Sequence, residues 1–480
     1  MRKQLLAIFC FFIVANVVGF GQTPACPSGA TSAKLICMIP QIYGPGLQIQ
    51  AVNFGGAPVD DHFQTVLTSN LSPLNSAIAR QSAILPLASP SSGITFSWDA
   101  AAKTFVGSTD SYGPILGERA DTIGKYKVSL GFSYQYFDFS NLDGVSLKNL
   151  PSVYFQSDET NTATGDHCSL SGDSTGSCGY IRDVVTTSNR VDLKVHQFTT
   201  FVTFGLTNRI DVSAAIPIES VHMAVYSNAT IVNNIDASGN VFAHTFPFRT
   251  GCGSLNVPVS PCSNQQFSSA STSSGIGDIT LRVKGTAWKG EKSGLALGAD
   301  FRIPTGDSLN FLGSGAVGVR PFIVWSYRAR VSPHALVGFE VDGSSQIAGD
   351  VTTGVKDKLP GSLSYVIGAD TWITKRVTAA FDLVGQDVFQ AGRVSVKNVP
   401  EPAACLDSSG QCDPGQGFAT PTNAPIVTPF VASYNSLFAS VGAKFRPTSN
   451  LLILGNVLFK LNNGGLGLKA VPMIGVAYTF

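Results

Sequence analysis

The sequence predicts an all-β fold: a transmembrane antiparallel β-barrel of about 12 strands, with 14 as the alternative count, behind an N-terminal periplasmic or plug segment. Three observations lead there. Apolar residues recur at every second place over runs of about 10 to 15 residues, the period of strands. A tilted transmembrane strand needs about 9 to 11 residues, whereas strands of water-soluble proteins average about 5 to 6. The opposite face of these runs mixes Gly and Ser with mid-strand charges, which suits a wet barrel interior. The connections alternate in length, as tight periplasmic turns and longer outer loops do in outer-membrane barrels.

In chain order, Arg2 and Lys3 precede the apolar run Leu5 to Val18 and the stretch Gly19-Phe20-Gly21. This is the layout of a secretory signal, expected over residues 1–21; the run is short of the roughly 20 apolar residues that span a bilayer as a helix. Residues 22–124 do not read as barrel. The stretch 60–85 has a weak helical period, and GITFSWDAAAKTFVG offers two short strands, near 94–97 and 104–106, around a turn. A hairpin, a periplasmic extension or a plug in the lumen all fit this segment, and a hairpin joined to the sheet would raise the count to 14. The barrel is expected over 125–480. Its strands fall near 125–139, 189–206, 209–225, 276–288, 293–304, 317–328, 333–343, 361–374, 376–388, 434–446, 449–461 and 467–480. Tight turns lie at 206–209, 288–293, 328–333, 374–375 and 447–450, and the longer loops at 140–188, 226–275, 305–316, 344–360, 389–433 and 462–466. In two strands the apolar register slips. It passes from Val191, Leu193 and Val195 to Phe198, Val202, Phe204 and Leu206, and from even to odd positions after Ile218. A bulge or a strand rising beyond the membrane would explain either slip.

The final residues VPMIGVAYTF place Phe480, Tyr478, Val476 and Ile474 on one stripe, which would face lipid with Phe480 at the inner interface. The pattern resembles the C-terminal signal that the barrel-assembly machinery recognises in bacterial outer-membrane proteins, so that machinery is an expected partner beside the outer-membrane lipid. Cys10 falls in the signal. The other eight cysteines form neighbouring couples: Cys26 and Cys37, Cys168 and Cys178, Cys252 and Cys262, Cys405 and Cys412. An even count at short spacing in an exported chain argues for local disulfides. No Cys-x2-Cys spacing or His cluster suggests a metal, and nothing calls for a cofactor. Charged residues are only 13% of the chain and the formal charge of +1 falls to about −1 without Arg2 and Lys3, so no basic patch invites nucleic acid.

Three stretches carry a family resemblance: SSGIGDITLRVKGTAW, LALGADFRIPTGD and GVRPFIVWSYRARVSPHALVGFEVDG. With GPILGERADTIGKYKVSLGFSYQYFDFSNLDG, they resemble the outer-membrane channel family named after the meta-pathway of phenol degradation. That family is distantly similar to fatty-acid and aromatic-hydrocarbon transporters. The core motif is Gly-Asp on one strand and Pro-Thr-Gly at the end of the next. The resemblance implies passage of small hydrophobic or aromatic molecules across the outer membrane of a Gram-negative-type bacterium.

On the inward face the alternation places Asp278, Arg282, Lys284, Asp300, Arg302, Arg320, Glu340, Asp342, Asp370, Asp382 and Lys444. Such a lining either selects permeants or forms an ion-pair lattice that closes a narrow lumen. Asp278 or Arg282 would pair with Asp300 and Arg302. Pro304-Thr305-Gly306 reads as turn chemistry at the outer rim. Trp288, Trp325 and Trp372 read as an interfacial girdle. None of the six histidines has an evident partner, although His196, His222 and His334 could serve as a base in a barrel enzyme. A channel or transporter, without a catalytic site, is the expected function. The alternative is a structural or adhesive barrel acting through loops 226–275 and 389–433.

Overall fold

The computed structural model describes Cys26 and residues 32–43, 47, 49–51, 58–59, 96–99, 104–107, 112–155, 184–232, 244–246, 263–351, 353–400 and 423–480. Twelve strands close into one antiparallel barrel. They are β1 (Val128–Leu142), β2 (Val184–Gly205), β3 (Ile210–Val232), β4 (Ile279–Lys289), β5 (Ser293–Ile303) and β6 (Gly318–Tyr327). The circuit continues with β7 (Val331–Asp342), β8 (Ser362–Thr374), β9 (Val377–Pro400), β10 (Asn423–Phe445), β11 (Leu451–Lys460) and β12 (Ala470–Thr479). Each pairs with the next and β12 pairs with β1, from Thr479↔Ser129 to Met473↔Gln135. Closure satisfies every neighbour's backbone in the ladder, the condition for crossing a bilayer with strands.

The residues outside and inside reverse the order of a water-soluble protein. Phe198, Ile218, Leu297, Ile323, Val337, Ile367, Phe381, Val441 and Ile474 are exposed around the barrel, while Ser133, Thr199, Asp300, His334, Asp382 and Lys444 are buried within it. An exposed apolar belt on a closed barrel is a lipid-facing surface. Trp288, Trp325 and Trp372, all exposed, lie at the tight-turn end, where Trp288 and Trp325 flank Leu295 and Trp372 opposes Thr378. Amphipathic rings at that level form an interfacial girdle.

Among the described residues, the short strands Phe96–Asp99 and Thr104–Gly107 pair with each other and not with the barrel, whose count is twelve. Parts of the stretches expected as loops 140–188, 226–275 and 389–433 are strands. β2 begins at Val184, β3 runs to Val232, Asn264–Ile276 adds to β3, Leu150–Phe155 adds to β2, and β9 and β10 continue as a hairpin to Pro400 and Asn423. Above the membrane neither face of a strand meets lipid, so the outward apolar stripe ends. Asn264–Ile276, rich in Ser, Thr and Gln, is the clearest case.

The register slips have the same origin. β2 and β3 pair without a bulge from Val184↔Val232 to Gly205↔Asp211. What changes is the apolar face. Below Gln197 and Glu219 the apolar side chains point to lipid; above them Val191, Leu193, Val195, Val221, Met223 and Val225 point inward and are buried. The strands rise beyond the membrane, and their inner face becomes a core.

Candidate functional site: the lumen and the strap across it

Two zones make up the barrel interior. The outer zone is apolar: Phe137, Phe139, Leu193, Val195, Val221, Met223, Leu458, Val471 and Met473 are buried on the inner face. Against them pack Leu35, Ile36, Ile39 and Ile42 from the N-terminal segment. Cys26 and Cys37 are joined by a disulfide. The Cys26 amide donates to the Val351 carbonyl at 3.1 Å, and the Leu35 amide to Asn310 Oδ1 at 3.1 Å. Lys34 Nζ meets Asp307 Oδ2 at 2.7 Å. Burial pushes the Asp307 carboxyl up, but the Lys34 hydrogen bond and charge, with Asn310 and the Leu309 amide, hold it below its ordinary value. The couples Cys168 and Cys178, Cys252 and Cys262, and Cys405 and Cys412 lie outside the described residues.

The inner zone is charged and crossed by residues 112–124. At one end of this strap, Tyr112 donates its amide to Thr378 at 3.0 Å and its hydroxyl to the Lys375 carbonyl at 2.6 Å. Lys444 Nζ donates to the carbonyls of Tyr112 and Pro114 at 3.2 and 2.6 Å. In the middle, the Leu116 amide donates to Asp382 at 3.1 Å, Arg119 pairs with Asp370 at 2.7 Å and the Ala120 amide donates to Ser326 at 3.1 Å. At the far wall, Glu118 accepts from Arg282 at 2.6 Å and Lys284 at 2.9 Å, and the Ile123 amide donates to Asp211 at 3.0 Å. Thr122 Oγ1 donates to the Asn208 carbonyl in the β2–β3 turn at 2.9 Å, so the strap sits at the tight-turn end.

The structure brings the eleven inward-facing charges into three groups on the inner wall. Arg282 and Arg320 both grip Asp300, at 2.6 and 2.5 Å, as the register Arg282↔Asp300↔Arg320 requires. Arg302 pairs with Glu340 at 2.7 Å and with Asp342, and its Nε lies 3.8 Å from Asp278. Lys284, Asp370, Asp382 and Lys444 hold the strap. Asp278 serves the rim: its carboxylate accepts from the Gly306 amide at 3.1 Å and from the Ser314 amide and hydroxyl at 2.8 and 2.6 Å. Thr305 Oγ1 donates to the Gly277 carbonyl at 2.6 Å. A Cβ on Gly306 would lie 2.2 Å from the Leu312 carbonyl oxygen. Gly-Asp and Pro-Thr-Gly are therefore two halves of one rim fastening.

Glu118 and Arg119 were not singled out by the strand pattern, because they stand on an irregular segment. Their signal was a charge pair inside the otherwise uncharged run GPILGERA. His334 is a correction: it has partners. Its Nε2 lies 2.6 Å from Asp382 and its Nδ1 3.5 Å from Asp370. Asp370 stands two residues from Gly368 on β8, and Asp382 lies opposite Gly368 on β9; the missing side chain of Gly368, which faces His334 on β7, opens the way, since a Cβ there would meet Asp382 at 2.3 Å and His334 at 2.7 Å. His196 meets the Tyr134 hydroxyl at 2.9 Å and His222 the Thr272 hydroxyl at 2.8 Å. Phe480 donates its amide to the Val128 carbonyl at 2.8 Å, and its ring meets Tyr478 edge-on at 4.7 Å; Phe480, Tyr478 and Val476 are exposed on the lipid side.

A closed strand barrel with an apolar belt outside and a polar, strapped lumen inside is an outer-membrane β-barrel. Within that class, residues 190–372 match the family described as putative MetA-pathway of phenol degradation, over β2 to β8 and the rim fastening. Among solved structures, the chain is similar to an outer membrane channel from Pseudomonas putida F1, at 10% identity over 75% of this chain and 98% of that one, TM-score 0.38. It is also similar to a Pseudomonas aeruginosa FadL homologue, at 11% identity over 74% of this chain and 89% of that one, TM-score 0.28. The NanC porin matches at 9% identity over 62% of this chain and 98% of that one, TM-score 0.31. No curated protein matches the sequence.

Proposed function

We propose that the protein carries small apolar or aromatic molecules across the outer membrane by gated diffusion through a lumen that its own residues 32–43 and 112–124, parts of the N-terminal segment, plug. The observation that carries this reading is the division of the lumen. An apolar outer zone offers a small hydrophobic molecule a favourable environment and offers a hydrated ion none. In the inner zone the wall charges are spent on one another and on the strap, so they act as a latch. Opening then requires 112–124 to move from Lys284, Asp370, Asp382 and Lys444.

Conductance of the refolded protein in a planar bilayer tests the latch. Brief, infrequent steps are expected; large steps that stay open in every molecule would overturn the plug. Uptake of toluene into lipopolysaccharide-covered vesicles tests the cargo, because that leaflet slows apolar molecules. Uptake no faster with the protein than without it would overturn the apolar permeant.

A further inference from the structure

The border between the two lumen zones is marked by a row of polar side chains on three neighbouring strands. On β2 and β3, Gln197 stands opposite Glu219, and on β1 and β2, Ser133 stands opposite Thr199. All four point inward, since their neighbours Phe132, Phe198 and Ile218 are exposed to lipid, and all four are more than nine-tenths buried. Gln197 Nε2 donates to Glu219 Oε1 at 2.8 Å. That single bond leaves Gln197 Oε1, Glu219 Oε2, Ser133 Oγ and Thr199 Oγ1 without a hydrogen-bond partner. Glu219 takes part in none of the ion pairs among the described residues, unlike the carboxylates of the charged wall.

Directly above Gln197 and Glu219 lie Val195 and Val221, with Phe137 opposite Val195; Gln135, which donates its Nε2 to Met473 Sδ at 3.2 Å, stands opposite Gln197 between Ser133 and Phe137, and Phe201 lies two residues below Thr199. A buried polar atom without a partner costs about 1–3 kcal/mol, and a carboxylate more, so four of them side by side are expensive unless something meets them. Scattered orphans would suggest local packing faults. Four on three adjacent strands, facing one way and framed by apolar and aromatic side chains, suggest a ligand site.

We propose that Gln197 and Glu219, with Ser133 and Thr199 beside them, form a station in the lumen for a small apolar molecule that carries a hydrogen-bond-donating head. The head, an aromatic alcohol's hydroxyl or an amine, meets the two acceptor oxygens of Gln197 and Glu219. The body lies against Phe137, Val195 and Val221. The station rests on the reading of an apolar permeant and adds a preference within it: passage with a stop, where a donor head is recognised.

Binding to the purified, folded barrel in detergent tests the station, with benzyl alcohol, benzylamine and toluene as probes followed by saturation-transfer NMR and calorimetry. One net hydrogen bond predicts about tenfold tighter binding of the alcohol or the amine than of toluene. The variants Glu219→Gln, Glu219→Leu and Gln197→Leu are compared, each checked for heat-modifiable migration. Toluene binding should hold in all three, while the preference for donor heads should disappear in the two Leu variants. Comparable binding of all three probes to the native protein would overturn the station and leave the apolar permeant standing. A preference that survives both Leu variants would also overturn it. No binding of any probe would remove both readings. A preference for benzylamine alone, lost in Glu219→Gln, would support the station and identify the head as a cation.

Discussion

Lys284→Met is the sharpest test of the strap. Lys284 is a wall residue of β4, and its ammonium donates to three strap oxygens: Glu118 Oε1 at 2.9 Å, the Arg119 carbonyl at 3.1 Å and the Asp121 carbonyl at 3.0 Å. Methionine keeps the approximate length of the side chain and removes all three bonds. Breaking a buried ion pair by removing one partner costs about 3–5 kcal/mol. The low end applies, because Arg282 still neutralises Glu118 at 2.6 Å. A loss of about 3 kcal/mol shifts the balance between docked and lifted strap by about two orders of magnitude. The barrel ladder does not use this side chain, so heat-modifiable migration should persist. In a planar bilayer the open fraction should rise steeply, and trypsin should cut at Arg119, which the native protein buries against Asp370. If the folded variant shows an open fraction within about threefold of the native protein, the strap is not the latch and the energetic argument fails.

Other expectations follow from single features. Ile367 is 57% exposed on β8, so Ile367→Arg would be harmless on a water-facing surface. On a lipid face it should cost about 2–4 kcal/mol in refolding into vesicles, and a neutral result would remove the lipid belt from that strand. Phe137 is fully buried in the outer zone. Phe137→Ala should lower the urea midpoint of the barrel, with a cost of about 3–5 kcal/mol if that zone is a packed core. An unchanged midpoint would mean that the zone is already loose. Reducing the disulfide between Cys26 and Cys37, which closes a loop over a sequence separation of 11, should loosen the N-terminal segment by about 3 kcal/mol. Protease cleavage near Lys34 reads this, and equal cleavage with and without reductant would count against it. Acid should loosen the same segment. The Asp307 carboxyl is held below its ordinary value of 3.8, so its link to Lys34 contributes above that pH and is lost as pH falls through the lowered value. Cleavage near Lys34 should therefore rise only below about pH 4; a rise near neutrality would point to another group.

Much of the barrel was legible because a bilayer imposes a simple rule on sequence. A strand between lipid and a wet lumen must alternate, and from Ile279 to Asp342 the expected and observed strands agree closely at both ends. The inward direction of Asp300, Asp370, Asp382 and Lys444 followed from the same period. The rule fails where lipid ends. The extensions of β2, β3, β9 and β10 and the strand Asn264–Ile276 carry no such pattern, and the two register slips had no single reading until pairing showed an unbroken ladder.

What the sequence determined by itself is therefore the membrane-spanning wall: where its strands run and which face meets lipid, because both depend on neighbours one or two residues apart. What the tertiary structure decided is the interior. Glu118 reaches Arg282 and Lys284 from 164 and 166 residues away, Arg119 reaches Asp370 across 251, and Lys34 reaches Asp307 across 273. No local pattern encodes such meetings. They exist because a segment without strand period is enclosed by a charged cylinder, where each buried charge must find its opposite.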